Sequence, residues 1–338
     1  MITLSIVVPC FNEEEVLPET IARLGAVRAQ LVSEGLVSEA TAVWFVDDGS
    51  TDGTWGLIGQ GAATHPWIRG LKLSRNRGHQ NAILAGLFES DGDAVVTVDA
   101  DLQDDLSAIR EMVLRHAEGA EIVYGVRSSR RSDSFLKRAT AETYYRVLRA
   151  FGVDIVFNHA DYRLMGRRAI RALQEFSEVN LFLRGIVPQL GFRSERVYYA
   201  RAERFAGESK YPVGKMLALA WDGITSYSTV PLRWITAIGF LVSLASFAVG
   251  AWAIWVRLTN PSSAPGWAST VVPISLLGGI QLLGLGIVGE YIGKIYAETK
   301  RRPRYVVELV VPPGEPGAGV RDLRPGAAGE RRESGVRP

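Results

Sequence analysis

The chain has 338 residues, 47% of them hydrophobic and 22% charged, and its 38 basic and 36 acidic side chains leave a formal net charge of +2. It is too apolar for a disordered chain and too nearly neutral for charge alone to indicate nucleic acid as a partner. The single cysteine, Cys10, cannot form an internal disulfide and, lying in an apolar run, reads as a buried thiol in a reducing compartment.

In chain order, residues 2 to 8 are β-branched and apolar, Pro9 and Asn12 break the run, and Val16, Leu17, Ile21 and Leu24 follow at helical spacing. The start lacks the basic residues of a signal peptide and meets Glu13, Glu14 and Glu15 at once, so it is expected to open a folded domain. The alternation then repeats: strand 42 to 46 and helix 52 to 61, strand 68 to 73 and helix 79 to 89, strand 94 to 98 and helix 105 to 117. A strand over 120 to 125 adds to these, and a more irregular stretch to about 211 contains a strand from Ser194 to Ala200. Strands spaced by helices predict an α/β fold with a mainly parallel sheet covered on both faces, whose ligands gather at the carboxyl ends of the strands.

The composition then changes. Ile235 to Val256 and Thr270 to Gly289 carry no charged residue, each is long enough to cross a bilayer, and Trp234, Trp252, Trp255 and Trp267 lie near their ends. Arg233 precedes the first stretch, Lys294, Lys300, Arg301, Arg302 and Arg304 follow the second, and only Arg257 lies between, which predicts cytoplasmic chain ends. The expected organisation is a cytosolic domain over 1–211 and an amphipathic interfacial helix over 212–232. Two transmembrane helices follow within 233–293, at about 235–256 and 270–292. A basic cytosolic segment over 294–311 then returns to the first domain, and a Gly-, Pro-, Arg- and Glu-rich tail over 312–338 reads as disordered.

Some motifs carry no chemistry. Gly284, Gly286 and Gly289 spell GxGxxG inside an apolar span, where close helix packing accounts for them and a dinucleotide loop does not. His65, His79, His116 and His159 are scattered without the spacing of zinc ligands. Pro261 after Asn260 removes the glycosylation reading there.

The acidic residues are more informative. Asp99 and Asp101 stand two apart after the fourth strand, where two carboxylates can converge on a hard cation such as Mg2+ or Mn2+ whose other positions are filled by substrate phosphates. Taken alone, such a pair is usually explained as solvated loop acids. The first strand ends in VVPCFNEEE and the second in VDDGSTDGT, so three strand ends carry acid. Such a mouth repels a bare diphosphate, and a metal must mediate if the ligand is a nucleotide sugar.

VVPCFNEEE, VDDGSTDGT and DADLQDD together resemble the three motifs of the GT-A glycosyltransferases of family 2, which have a Rossmann-like catalytic domain. The stretch Asn76 to Gln80, the segment Asp161, Tyr162, Arg163, and Arg204 with Gly207, Ser209, Lys210 and Tyr211 resemble the polyprenyl-phosphate branch of that family. That branch includes dolichyl-phosphate mannose synthase and its bacterial GtrB-like relatives. The QxxRW motif of processive polysaccharide synthases is absent from the sequence, so one sugar per turnover is implied.

The resemblance implies that Pro9, Phe11, Glu13 and either Asp48 or Asp47 hold the nucleotide, with Asp99 and Ala100 beside them. It places Asp99, Asp101 and Gln103 on Mg2+ or Mn2+, and Arg204 and Lys210 on the diphosphate. Asp101, Asp161 and Arg204 are its catalytic candidates, with Asp161 either orienting the acceptor or sugar hydroxyls or forming a structural salt bridge. Arg127, Lys137 and Arg138, in the basic stretch after the fifth strand, would receive a lipid phosphate.

The implied reaction is inverting transfer of one sugar from a nucleotide diphosphate sugar, UDP-glucose before GDP-mannose, to polyprenyl (undecaprenyl) phosphate at the cell inner membrane. The implied partners are these two substrates, the membrane and copies of the chain, up to a tetramer. A membrane scaffold that kept the fold without the activity is the competing reading.

Overall fold

The computed structural model describes residues 1–128, 159–178, 183–200, 225, 228–259 and 267–312, which fall into two units. The first holds the described residues up to Ala200 together with the segment from Pro303, and the second holds those from Thr225 to Arg302.

In the first unit the elements are β1 (Leu4–Cys10), α1 (Leu17–Ser33), β2 (Ala42–Asp47), α2 (Thr54–Thr64), β3 (Ile68–Leu73), α3 (His79–Glu89), β4 (Ala94–Thr97), α4 (Ala108–Ala117) and β5 (Ile122–Arg127). These are followed by β6 (His159–Gly166), α5 (Arg167–Gln174), α6 (Leu183–Gln189) and β7 (Ser194–Tyr199). The last strand, β8 (Val307–Val311), comes from the chain beyond the second unit. One eight-stranded sheet has the order β7-β5-β6-β4-β1-β2-β3-β8.

The sheet is mixed. Pairings β1–β2, β1–β4, β2–β3 and β5–β7 are parallel, whereas β4–β6, β5–β6 and β3–β8 are antiparallel. The parallel half is the one built from the repeated strand and helix alternation. Strand β6 lies in the stretch expected to be irregular, and β8 in the basic segment expected to return to the first domain, for which no strand was expected. Strand β6 is hard to see because its buried face carries charge: Asp161 and Arg163 are both buried, and Arg163 is fully so.

Every residue of β1 is buried, as a strand covered on both faces requires. On one face Leu4, Ile6, Val8 and Cys10 join Leu17, Leu24 and Leu31 of α1, Ile58 and Ala62 of α2, and Ile109, Met112 and Val113 of α4 in one core. On the other, α3 lies so close that a Cβ at Gly86 would collide with Val7 and stand 3.0 Å from Val46. These helices bring the carboxyl ends of β1, β2 and β4 to one edge, where the loops carry the acidic motifs.

The second unit contains α7 (Val230–Thr259) and α8 (Trp267–Thr299). The helices run antiparallel: Tyr291 Oη donates to Ser228 O at 2.5 Å, and a Cβ at Gly284 would touch Ile235 at 3.4 Å. Gly284 therefore serves helix contact, as its place in an apolar span implies. Lys294 Nζ also donates to Thr225 Oγ1 at 2.5 Å. Among the described residues, Leu276–Thr299 is long and apolar enough to cross a membrane, and Val230–Val242 is a shorter apolar segment. Phe240, Trp252, Trp255, Leu282 and Leu285 are all exposed. The expected interfacial helix and tail lie outside the described residues, save for Thr225, residues 228–232 and Pro312.

Candidate active site

The loops after β1 and β2 are laced together by side chains bonding to backbone. Asn12, at φ +55°, donates its N–H to Ser50 Oγ at 3.0 Å, and its Oδ1 accepts Thr51 N–H at 2.9 Å. Glu13 N–H donates to Thr54 Oγ1 at 2.9 Å, and Glu14 Oε2 accepts Gly53 N–H at 2.7 Å. The bond from Gly53, the N-cap of α2, satisfies an amide that has no partner within the helix.

Beside this lacing is a cavity of about 180 Å³ lined by Pro9, Phe11, Glu13, Asp48, Gly78 and His79, among others. Four of the expected nucleotide residues, Pro9, Phe11, Glu13 and Asp48, therefore share one wall. The structure separates the two neighbouring aspartates. Asp48 lines the cavity, whereas Asp47 is fully buried, accepts Ser50 N–H at 3.3 Å through Oδ1, and has no partner at Oδ2. Burial raises both carboxyl pKa values, and the hydrogen bonds each accepts offset this only in part.

Asp48 also shapes the wall it lines. Its two oxygens accept the N–H groups of Arg77 and Gly78 at 2.7 and 2.8 Å, which draws the loop after β3 onto the end of β2. Gly49, at φ +71°, lies beneath that loop, where a Cβ would be 2.6 Å from Asn76 N.

The DADLQDD segment turns sharply. Leu102 is buried and left-handed at φ +56°, Asp101 Oδ1 accepts Gln103 N–H at 3.2 Å, and the Thr20 hydroxyl on α1 donates to Ala100 O at 2.9 Å. A non-glycine residue in that region is a marker of an over-determined functional turn. Asp99, Asp101 and Gln103 offer hard oxygen donors, and among the described residues no three His, Cys, Asp or Glu side chains converge on one point. Two carboxylates with one amide oxygen fit a Mg2+ or Mn2+ ion that shares its shell with substrate phosphate.

His79 was not assigned a role by sequence reasoning, yet it joins the parts of the site. It lines the cavity from the start of α3, and its Nε2 lies 3.3 Å from Asp99 Oδ1 and 4.0 Å from Asp161 Oδ2. Burial opposes the imidazolium, but the hydrogen bond and charge of Asp99, together with the charge of Asp161, outweigh it and raise the pKa.

Asp161 accepts Arg163 Nη2 at 2.6 Å and Arg184 Nη2 at 3.1 Å. Burial would raise its pKa, but Arg184 and Arg163 hold it well below the usual carboxylate range. A carboxylate so placed is an anchor for cations and a poor proton acceptor. Arg184, near the start of α6, carries no motif that would reveal it from sequence.

Arg127, at the end of β5, places Nη2 3.4 Å from Asp104 Oδ1 and Nε 3.3 Å from Tyr199 Oη. The other expected cations, Lys137, Arg138, Arg204 and Lys210, lie outside the described residues.

The order of these loops matches a known family: residues 5–174 fit the one described as Glycosyl transferase family 2. The chain belongs to it. This family 2 glycosyltransferase is 50% identical over 308 residues to a Bacillus subtilis relative described as "Uncharacterized glycosyltransferase YkoT", covering 90% of this chain and 91% of that one. It is 39% identical to the "Prophage bactoprenol glucosyl transferase homolog" of Escherichia coli, over 91% of this chain and 99% of the relative. To the "Bactoprenol glucosyl transferase" of Shigella phage SfV it is 40% identical, over 90% and 98%.

Proposed function

We propose that this glycosyltransferase moves glucose from UDP-glucose to a polyprenyl phosphate of the undecaprenyl type. The observation that carries this reading is that relatives named as bactoprenol glucosyl transferases match almost end to end, so the similarity includes the apolar hairpin as well as the catalytic unit.

In this reading Pro9, Phe11, Glu13 and Asp48 hold the nucleotide, while Asp99, Asp101 and Gln103 hold Mg2+ or Mn2+. When bound, the metal supplies positive charge to the departing diphosphate. Arg204 and Lys210 add fixed charge at the same place, and Arg127, Lys137 and Arg138 receive the acceptor phosphate. An oxygen of that phosphate forms a bond to the anomeric carbon as the bond to UDP breaks, and the electron pair leaves with the diphosphate. No strong general base is needed, because a phosphate monoester is largely dianionic at neutral pH, with its second ionisation near about pH 6. This agrees with Asp161, whose ion pairs make it a poor base. One in-line displacement inverts the anomeric centre and gives a β-linked product.

Helices α7 and α8 are read as a hairpin across the cell inner membrane, with the catalytic unit and both chain ends cytoplasmic. At 33 residues, α8 exceeds the 20 or so needed to span about 30 Å of hydrocarbon. The seven residues from Lys300 to Val306 reach roughly 25 Å when extended, too short to cross again before β8. Association of copies through the hairpin completes the reading.

The test mixes purified enzyme, Mg2+ or Mn2+, undecaprenyl phosphate and radiolabelled UDP-glucose or GDP-mannose, with Asp101→Ala as control. Metal-dependent label in the lipid phase from UDP-glucose, absent in the variant, is the expected result. Label from GDP-mannose alone overturns the donor assignment, and label from neither overturns the acceptor.

A further inference from the structure

The DADLQDD loop carries a further carboxylate, Asp104, beyond Asp99 and Asp101. Asp104 is buried, and Tyr199 Oη donates to its Oδ1 at 2.5 Å, a short charge-assisted bond. The same oxygen lies 3.4 Å from Arg127 Nη2, while Arg127 Nε donates to Tyr199 Oη at 3.3 Å, so the three side chains form a closed triangle. Arg127 and Tyr199 are register partners and the last residues of the parallel strands β5 and β7.

The loop is held on further sides. Tyr162 Oη on β6 donates to Asp105 O at 3.0 Å, its ring packs edge-on against Tyr199 with centroids 5.2 Å apart, and Thr20 holds Ala100 O from α1. The segment bearing Asp99 and Asp101 is thereby tied to the guanidinium at the end of β5. Burial and the neighbouring Asp104 raise the Tyr199 pKa, which keeps its hydroxyl a donor.

We infer that Asp104 is a positioning residue that, with Tyr199, fixes the Arg127 guanidinium relative to the DAD turn, so that one loop sets the distance between the donor's metal and the acceptor's phosphate. The inference rests on the reading that Arg127 meets the acceptor phosphate. Its physical basis is that two anionic substrates must be held in line, and an Arg side chain without fixed partners samples many rotamers. Tyr199 removes that freedom through Nε, and Asp104 removes it through Nη2.

The test is a double-mutant cycle on the full-length enzyme with undecaprenyl phosphate and the sugar nucleotide, reading KM for each substrate and kcat. Tyr199→Phe keeps the ring packing and removes only the hydroxyl. It is expected to raise KM for the lipid phosphate about tenfold, the loss of one charge-assisted hydrogen bond, while KM for the sugar nucleotide stays within about twofold. Asp104→Asn, which keeps an acceptor oxygen for Tyr199 but drops the charge facing Arg127, is expected to show the same split. In an Arg127→Gln background Tyr199→Phe should add less than about twofold, because the group it positions is gone. Effects that multiply, or a donor KM that rises as much as the acceptor KM, overturn the inference while leaving Arg127 as a phosphate ligand. An Arg127→Gln enzyme with unchanged lipid KM overturns the acceptor role of Arg127 and the inference with it.

Discussion

Asp161 and Arg163, two residues apart on β6, point to the same side of the strand and close a 2.6 Å salt bridge inside the sheet. Arg163 is fully buried and also donates to Leu183 O at 3.4 Å, so the pair fixes the start of α6 and with it Arg184. A buried ion pair of this kind is most costly when half of it is removed.

Asp161→Asn therefore strands the Arg163 charge and is expected to destabilise the catalytic unit by about 3–5 kcal/mol. The pH dependence follows from the sign of the shift. Because the folded-state pKa is depressed, the carboxylate contributes stability above its unfolded value of about 4 and loses that contribution as pH falls toward the folded value. Thermal unfolding of wild type and variant against pH should show curves that converge below about pH 4. A constant gap down to pH 2 would refute the assignment.

Gly49→Ala forces a side chain into a left-handed position whose Cβ would be 2.6 Å from Asn76 N. The backbone alone costs roughly 1–2 kcal/mol, and the loop after β3 must also lift from Asp48. Calorimetric titration with UDP is expected to show binding weakened by about tenfold or more, a loss of ~1.4 kcal/mol. Unchanged affinity would mean that the wall formed by Asn76, Gly78 and His79 does not touch the nucleotide.

In the metal-free enzyme, imidazole NMR should place the His79 midpoint above 6.5. Asp99→Asn should lower it, because Asp99 supplies the hydrogen bond and the larger share of the charge that outweigh burial. A raised folded-state pKa contributes stability below the ordinary histidine value, and that contribution fades as pH rises through the folded value. A midpoint at or below the ordinary value would show that the 3.3 Å approach to Asp99 is not maintained in solution.

The parallel half of the sheet was legible because β1, β2, β3 and β4 are short apolar runs bounded by turn residues and separated by helical periodicity. The acidic motifs were legible because each stands at the end of such a strand, where ligands of this architecture bind. Pro9, Phe11 and Glu13, which stand together in the first of those motifs, line one cavity with Asp48.

The sequence by itself could not decide which of two adjacent aspartates faces the cavity: both are buried, and Asp48 is the one that lines it. Nor could it reveal β6 or choose between the two roles open to Asp161, which depend on Arg163 and Arg184 lying against it. The triangle of Asp104, Arg127 and Tyr199 joins a loop to two strand ends up to 95 residues away in the chain. Periodicity and local motifs report burial and turns over a few residues, whereas the partner of a buried charge is set by which strands lie side by side, and only the tertiary structure decides that.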